Sequence, residues 1–205
     1  MQIITERLRL REFAPDDWRA VLDYQRDPRY LRYYPWTDRT EDDARDFVRM
    51  FLDWQDERPR CRFQLAIERL CDRRLIGNCG IRRNSENDHQ AEIGYELNPN
   101  CWGQGYATEA AAAMAQFGYD HLGLQRITSW CIAENAASAR VLERLGFRLE
   151  QRLPQAEYFK GRWWDTLTFS LTADEWQSNP VIIYIESDQP TDSDTRRNNA
   201  QGHTL

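Results

Sequence analysis

The sequence of 205 residues lacks the patterns that mark disulfide frameworks and metal sites. Its five cysteines are odd in number and scattered, and no C-x-x-C pair occurs, which argues against a disulfide scaffold and against structural zinc. Only three histidines occur and none lies four residues from another, so a histidine-based metal centre would be short of ligands. We therefore predict a cytoplasmic protein in a reducing compartment, with no metal.

A basic surface and a membrane-spanning run are also missing. The net charge is −6, from 27 basic and 33 acidic residues, which is unlike a nucleic-acid-binding surface and better suited to an amine partner. The N-terminal residues lack the charged and apolar regions of a signal peptide, and the apolar run Val181–Ile185 is too short to cross a bilayer. We expect neither a nucleic acid nor a membrane as partner.

The first half of the chain predicts a strand, two helices and a meander. Residues 6–12 alternate between polar and apolar, as in a strand with one buried face. Apolar residues at helical spacing follow Trp18 and Thr40, and threonine is a good helix cap. Three short segments between residues 63 and 97, separated by turn-rich residues, predict antiparallel strands.

The second half alternates strands with helices. A glycine-containing loop leads into a helical stripe that Gly123 ends, and residues 126–132 then predict a strand. Asn135 caps the next helix, and a hairpin over residues 157–171 closes the series.

The composition divides the chain into two parts. We predict one domain over residues 1–176 and a disordered tail over residues 177–205, which is too polar to bury a core. An exposed strand edge near the closing hairpin could pair with a second copy of the chain, so a homodimer is one arrangement that the sequence allows.

The most specific motif is the glycine-containing loop. Residues 96–110 read ELNPNCWGQGYATEA, with two glycines directly before the predicted helix. Glycine lets backbone amides approach a ligand closely, and a helix start carries about half a positive charge, so such a loop binds phosphate. It is not a P-loop, and Thr108 occupies the third glycine position of a dinucleotide fingerprint. A turn that only starts the helix is the alternative interpretation.

With its flanking residues, the loop resembles the GNAT acetyltransferases, and among them the RimJ/RimL branch of ribosomal-protein alanine acetyltransferases. The likeness includes AEIGY at residues 91–95 and NAASARVLERLGF at residues 135–147, and it covers about residues 3–176. It implies an α/β (α+β) GNAT fold, a mixed and largely antiparallel splayed sheet flanked by helices. It also implies acetyl-CoA between the strands at residues 92–97 and 126–132, with its diphosphate on the loop.

The resemblance assigns most site residues to this co-substrate. Asn135 would contact the pantetheine amide and Ser138 the thiolate sulfur, although both residues also suit a helix start. Leu142 stands where many family members have a tyrosine that protonates the thiolate. The residues expected to bind acetyl-CoA are Leu97, Trp102, Gly103, Gln104, Gly105, Tyr106, Ala107, Thr108, Asn135 and Ser138.

Acetyl transfer to an amine also needs a proton acceptor, because an alkylamine has a pKa of about 10. Glu92, on the strand beside the expected thioester, is the predicted general base, and a solvated or paired strand carboxylate is the alternative. Cys101 adjoins the loop but has no activating histidine near it in the sequence, and direct transfer needs no covalent intermediate. Aromatic residues could wall the acceptor site or belong to the core. Those assigned to the acceptor are Tyr33, Tyr34, Trp36 and Trp164.

We therefore predict an N-acetyltransferase that moves acetyl from acetyl-CoA to a primary amine by direct transfer in a ternary complex. The acceptor is a protein N-terminus or a small-molecule amine, and likeness of fold does not choose between them. Because this tyrosine is missing, the alternative function is that of a catalytically silent module that binds or senses acyl-CoA. A nucleotide-binding protein is disfavoured, because no lysine or aspartate stands where magnesium phosphate chemistry needs one.

Overall fold

The computed structural model describes residues 1–176 and the backbone of residues 184–186. One nine-stranded sheet runs through it in the order β7-β8-β6-β5-β4-β3-β2-β1-β9. The strands are β1 (Gln2–Ile4), β2 (Leu8–Arg11), β3 (Arg62–Arg69), β4 (Leu75–Arg82), β5 (Gln90–Leu97), β6 (Arg126–Ile132), β7 (Arg148–Phe159), β8 (Arg162–Thr172) and β9 (Tyr184–Glu186). The helices are α1 (Trp18–Gln25), α2 (Pro28–Leu31), α3 (Glu41–Gln55), α4 (Tyr106–Leu122), α5 (Ala136–Arg144) and α6 (Ala173–Trp176).

One parallel pair interrupts an otherwise antiparallel sheet. Strands β5 and β6 pair in parallel only where residues 90–92 face residues 126–128. Just beyond, the Ser129 hydroxyl donates to the Ile93 carbonyl at 2.9 Å, and the two strands then separate. The predicted mixed and splayed sheet flanked by helices is confirmed.

Helices cover both faces of the sheet because side chains alternate along each strand. Ile93 and Leu97 of β5 belong to the large core under α4, which we call the α4 face. Ala66 of β3 points the other way and packs with α1 and α3, on what we call the α1 face. Glu96, next to Leu97, therefore lies on the α1 face.

Most local signals in the sequence correspond to observed element ends. The Thr40 side chain accepts from the Asp43 amide at the start of α3, and Asn135 accepts from Ser138 at the start of α5. Gly123, with a φ of 65°, ends α4 in the left-handed region that glycine tolerates. The closing hairpin is longer than predicted, since β7 already begins at Arg148. The sequence did not reveal the first part of β7, because nearly all of this strand is exposed and shows no alternation of polar and apolar residues.

The predicted disordered tail lies outside the described residues, except at Tyr184–Glu186. There the backbone forms β9 and pairs antiparallel with β1, so these three positions are a strand. The apolar island in an otherwise polar segment explains a strand at this point, because isoleucine and tyrosine favour extended backbone. In the part of the chain that the structure describes, no helix is long and apolar enough to cross a membrane. The homodimer stays a prediction.

A buried carboxylate joins the early strands. Glu68 on β3 is 4% exposed, and its oxygens lie 2.7 Å from Arg9, 3.0 Å from Arg11 and 2.8 Å from Arg73. Arg11 also pairs with Asp17, whereas Arg9, which is largely buried, depends on Glu68 to balance its charge.

Replacing Glu68 should therefore destabilise the fold. We expect Glu68→Ala to lower the free energy of unfolding by about 3 kcal/mol, because it leaves the largely buried Arg9 guanidinium without its counter-charge. Urea unfolding followed by tryptophan fluorescence measures this change. The control Asp46→Ala removes the exposed partner of Arg49 and should leave stability nearly unchanged. Equal losses in the two variants would contradict a structural role for Glu68.

Candidate active site

A cleft of about 720 Å³ opens where β5 and β6 separate. Its walls between the strands are residues 95–97 of β5 and 130–132 of β6. Residues 106–108 and 135–138 line it on the α4 face, and residues of the segment 29–34 line it on the α1 face. The cleft therefore passes through the sheet, so two ligands entering from opposite faces can meet between the strands.

The loop before α4 presents backbone amides to this cleft. Gly103 and Gly105 have φ angles of 75° and 83°, and Gly105 caps α4 without any side chain that accepts from the first-turn amides. Both glycines line the cleft. An amide-rich helix start with its partial positive charge suits a diphosphate, as the motif predicted.

Arg7 holds this loop in place from the connection between β1 and β2. Its Nη1 donates to the Gln104 carbonyl at 2.9 Å, and its Nε donates to Glu109 at 2.7 Å. The guanidinium also lies 4.6 Å above the Tyr106 ring. The motif did not predict this contact, because it joins residues about a hundred positions apart.

Tyr95 and Ser138 meet at the corner where the strands separate. The Tyr95 hydroxyl donates to the Ser138 carbonyl at 3.0 Å and lies 3.1 Å from the Ser138 Oγ. Burial raises the pKa of Tyr95 well above its usual value, so the phenol keeps its proton at neutral pH. Leu142, the position at which the resemblance led us to expect a tyrosine, is fully buried in the core. A phenol from β5 thus stands in the corner where the sequence predicted none.

Cys131 lines the same corner of the cleft. Burial raises the pKa of its thiol to about 11, and a hydrogen bond with Ser138 opposes that rise. The thiol is therefore protonated at neutral pH and is a poor nucleophile.

Two carboxylates line the cleft, Glu96 and Glu134, and Glu134 pairs with Arg162. Glu96 lies on the α1 face. Its Oε1 accepts from the Tyr24 hydroxyl at 2.6 Å, from Asn78 at 2.7 Å and from Gln25 at 3.2 Å. Its Oε2 accepts from the Tyr30 hydroxyl at 2.5 Å and, more weakly, from the Tyr34 hydroxyl at 3.5 Å. Five donors thus hold the carboxylate in place, three on Oε1 and two on Oε2, and one of the two bonds to Oε2 is weak.

The three phenols around Glu96 remain donors. Burial first, and then the negative charge of Glu96, raises the pKa values of Tyr24, Tyr30 and Tyr34 well above the usual range. All three hydroxyls therefore keep their protons at neutral pH and can bond to the carboxylate.

Glu92, the predicted base, lies outside the cleft lining. Its carboxylate is 3.6 Å from the Arg82 guanidinium and its side chain is 46% exposed, which matches the paired strand carboxylate named as the alternative. It shares a face of β5 with Glu96 but lies roughly 13 Å away along the strand. The physical reason is that β5 and β6 are still paired at Glu92 and separate only beyond it.

The other predicted site residues either line the cleft or pack behind its lining. Gln104 is absent from the cleft lining, and its carbonyl is held by Arg7. Trp36 stacks behind Tyr34 at 4.9 Å, and the buried Trp164 meets Tyr33 edge-on at 6.1 Å. Those that line the cleft are Tyr33, Tyr34, Leu97, Trp102, Gly103, Gly105, Tyr106, Ala107, Thr108, Asn135 and Ser138.

Comparison with known proteins agrees with this architecture. A family model described as an acetyltransferase (GNAT) domain matches residues 7–148. The chain belongs to the GNAT acetyltransferase family. This acetyltransferase is 34% identical over 177 residues to the uncharacterized N-acetyltransferase p20 of Bacillus licheniformis, which covers 85% of this chain and 97% of the relative. The predicted enzyme class, an N-acetyltransferase, is confirmed.

Solved structures show the same fold. A GNAT-family acetyltransferase from Bacillus anthracis superposes with a TM-score of 0.75 at 31% identity, covering 85% of this chain and all of that one. The spermidine N-acetyltransferase of Vibrio cholerae, solved with CoA and spermine, has a TM-score of 0.70 at 18% identity, covering 83% and 98%. Over the described residues of the acetyltransferase, no group of three or more His, Cys, Asp or Glu is placed to hold a metal ion.

The pKa of Cys131 gives a test of the geometry of this corner. We expect alkylation of Cys131 by iodoacetamide to rise about 100-fold between pH 7.5 and 9.5, because a thiol with a pKa of about 11 gains thiolate steadily over that interval. An ordinary thiol with a pKa of about 8.5 gains only about tenfold. Mass spectrometry of the Cys131 peptide, with a free cysteine peptide as the control, measures both rates. A tenfold rise at Cys131 would show that its thiol is not buried.

Proposed function

We propose that this enzyme transfers acetyl from acetyl-CoA to a primary amine by direct attack in a ternary complex. One observation carries the proposal. A single cleft through the sheet joins an anion-binding helix start on the α4 face to the carboxylate of Glu96 on the α1 face. These two ends suit the diphosphate of CoA and a protonated amine respectively.

The residues of the α4 face fit acetyl-CoA. The amides of the loop from Gly103 to Thr108 receive the diphosphate, and the edge of β5 that no longer pairs with β6 offers backbone groups to the pantetheine amides. Asn135, at the start of α5, lies beside the expected position of the pantetheine, and Tyr95 and Ser138 lie where the sulfur of CoA would be. A neighbour of the same fold, the Vibrio cholerae spermidine enzyme, was solved with CoA, which supports this co-substrate.

The α1 face receives the amine. Glu96, which lines the cleft, attracts an ammonium group, whereas the ring of Tyr34 is stacked between Tyr30 and Trp36 and offers only its hydroxyl. Because Oε2 has one short bond, from Tyr30, and one long one, from Tyr34, it can take a further hydrogen bond from the amine or from a bridging water. Glu96 therefore replaces Glu92 in our proposal as the group that accepts the amine proton.

The reaction then balances. The bound ammonium first gives one proton to Glu96, which passes it through water to solvent. The neutral nitrogen then forms a bond to the thioester carbonyl carbon, the carbon–sulfur bond breaks, and Glu96 receives the second proton that the nitrogen loses. Tyr95, with Ser138 beside it, can turn its hydroxyl hydrogen from the Ser138 carbonyl to the departing thiolate and stabilise it by a hydrogen bond, and the thiolate then takes its proton from solvent. The silent-module alternative rested on the missing tyrosine at Leu142, and in this proposal Tyr95 takes the place of that tyrosine.

The finer assignments belong to the same proposal. The RimJ/RimL subtype rests on the motifs at residues 91–110 and 135–147. A cytoplasmic location agrees with five free cysteines.

Two matched carboxylate variants test the base. We expect Glu96→Gln to lower kcat/KM by about 100-fold or more, because it removes the proton acceptor, whereas Glu92→Gln should stay within about threefold of the wild type. Free-thiol release from acetyl-CoA over a panel of alanine- and serine-led peptides, spermidine, aminoglycosides and amino acids measures both variants and names the acceptor.

This experiment can distinguish a loss of activity from a loss of folding. Tyr34→Phe keeps the ring and removes only the weak bond to Oε2, so it should fold normally even if Glu96→Gln does not. A larger loss in Glu92→Gln than in Glu96→Gln would return the role of base to Glu92. No thiol release by folded wild-type protein with any amine would favour the silent module.

A phenol variant tests the thiol end. We expect Tyr95→Phe to lower kcat by about tenfold to a hundredfold with little change in KM, because its hydroxyl acts on charge that develops as the thiolate leaves. The control Tyr119→Phe removes another largely buried phenol, which bonds to the Leu171 carbonyl away from the cleft. Steady-state kinetics of both variants measures the effect. An unchanged kcat for Tyr95→Phe would exclude Tyr95 from the reaction.

A further inference from the structure

Some charged side chains on the amine side of the cleft are neutralised by neighbours. The charged residues that line the cleft on or next to the α1 face are Arg29, Arg32, Glu96 and Glu134. Arg29 pairs with Asp27 at 2.6 Å and also donates to the Asn100 side chain at 2.8 Å. Glu134 lies 3.3 Å from Arg162. These two residues therefore leave little charge for a ligand to balance, and the other two differ from them.

Glu96 keeps its negative charge unbalanced. All five of its hydrogen-bond donors are neutral groups, from three phenols and two side-chain amides. Within residues 1–176, no arginine, lysine or histidine pairs with its carboxylate. A positively charged group on a ligand is therefore the partner that this carboxylate lacks.

Arg32, directly after α2, carries the matching positive charge. Its side chain is exposed and lines the cleft, and its guanidinium lies 5.2 Å above the Tyr33 ring. In the described part of the chain, the Arg32 side chain makes neither a hydrogen bond nor an ion pair. Exposed arginines elsewhere, such as Arg19 and Arg49, face carboxylates instead. The side chain of Arg32 can thus bind an anion that enters with the amine.

Lys160 adds positive charge beside Arg32. It is the only lysine of the chain and lies in the turn between β7 and β8. Its Nζ donates to the carbonyl of Leu31, the residue before Arg32, at 2.7 Å, and no carboxylate pairs with it within residues 1–176. Two cations without a carboxylate therefore stand together on this side of the cleft, which favours an anionic group there.

The two unbalanced charges belong to one short stretch of the wall. Tyr30, whose hydroxyl donates to Glu96 at 2.5 Å, precedes Arg32 by two residues, or about 3 Å along a helix axis. A ligand that satisfies both charges carries a cation and an anion a few bonds apart. A polyamine has no group for Arg32, and a long peptide has its terminal carboxylate far from its N-terminus.

We propose that the acceptor is a small primary amine that carries an oxyanion, with its ammonium group at Glu96 and its carboxylate or phosphate at Arg32. The inference rests on the proposed function, because it names the class of amine that the α1 face receives. A guanidinium group matches the oxygens of either anion with paired donors. Arg32 thereby selects and positions the amine and takes no part in the transfer of its proton.

Binding in the presence of saturating CoA tests the proposal without turnover, because CoA carries no acetyl group to transfer. Ligand-observed NMR titrations of the full-length protein compare β-alanine with β-alaninamide, and O-phosphoethanolamine with ethanolamine. In the wild type, an anionic amine should bind about tenfold more tightly than its counterpart without the anion. In Arg32→Gln this preference should fall to near one, while the affinities of the two counterparts stay unchanged. The pair with the larger preference distinguishes a carboxylate from a phosphate.

Two further variants serve as controls. Arg32→Lys keeps the charge and should retain part of the preference, whereas Arg49→Gln makes the same charge change on the exposed surface of α3 and should alter no affinity. Equal binding within both pairs by the wild type, no binding of either anionic amine, or a preference that survives in Arg32→Gln overturns the proposal.

Thiol release separates this inference from the proposed transfer. A preference for anionic amines in binding, without thiol release from acetyl-CoA by any amine, would leave the anion site standing while the proposed transfer fails. Thiol release that is equally efficient with and without the anion would leave the transfer standing and exclude the role of Arg32.

Discussion

The end of hydrogen bonding between β5 and β6 is the constraint on which the rest of the site depends. The strands pair only as far as Glu92 and Thr128, and the Ser129–Ile93 bond marks the last tie before they separate. A sheet that stayed paired would close the cleft and cover the free edge of β5. Because β5 continues alone, its alternating side chains serve two purposes at once: Tyr95 points to α5 and Glu96 points to α1 and α2.

The polar cluster on the α1 face shows how a carboxylate can be held beside a core. Glu96 would be costly to bury alone, and donors from α1, α2 and β4 satisfy its oxygens instead. The network extends inward, since Gln64 donates to the Asn78 that in turn donates to Glu96. Such a network fixes the position of a charge more firmly than a solvated surface carboxylate could be fixed.

Local signals in the sequence predicted much of the fold, and contacts between distant segments account for what they missed. Caps such as Thr40 and Asn135, and the glycine loop before α4, are encoded within a few residues and were found. The position of Glu96 at the cleft depends on where the two strands separate, which no local pattern records, so the sequence analysis named Glu92 on the same face. Tyr95 was missed for a related reason, since its partner Ser138 lies 43 residues away.

A passage that is open on both faces of a sheet also has a kinetic consequence. Each substrate has its own entrance, so neither must enter first and neither blocks the exit of the other. For the reaction that we propose, the shape of the cleft therefore imposes no compulsory binding order on acetyl-CoA and the amine. An inhibitor that fills only the α1 face would compete with the amine and leave the binding of the thioester unaffected.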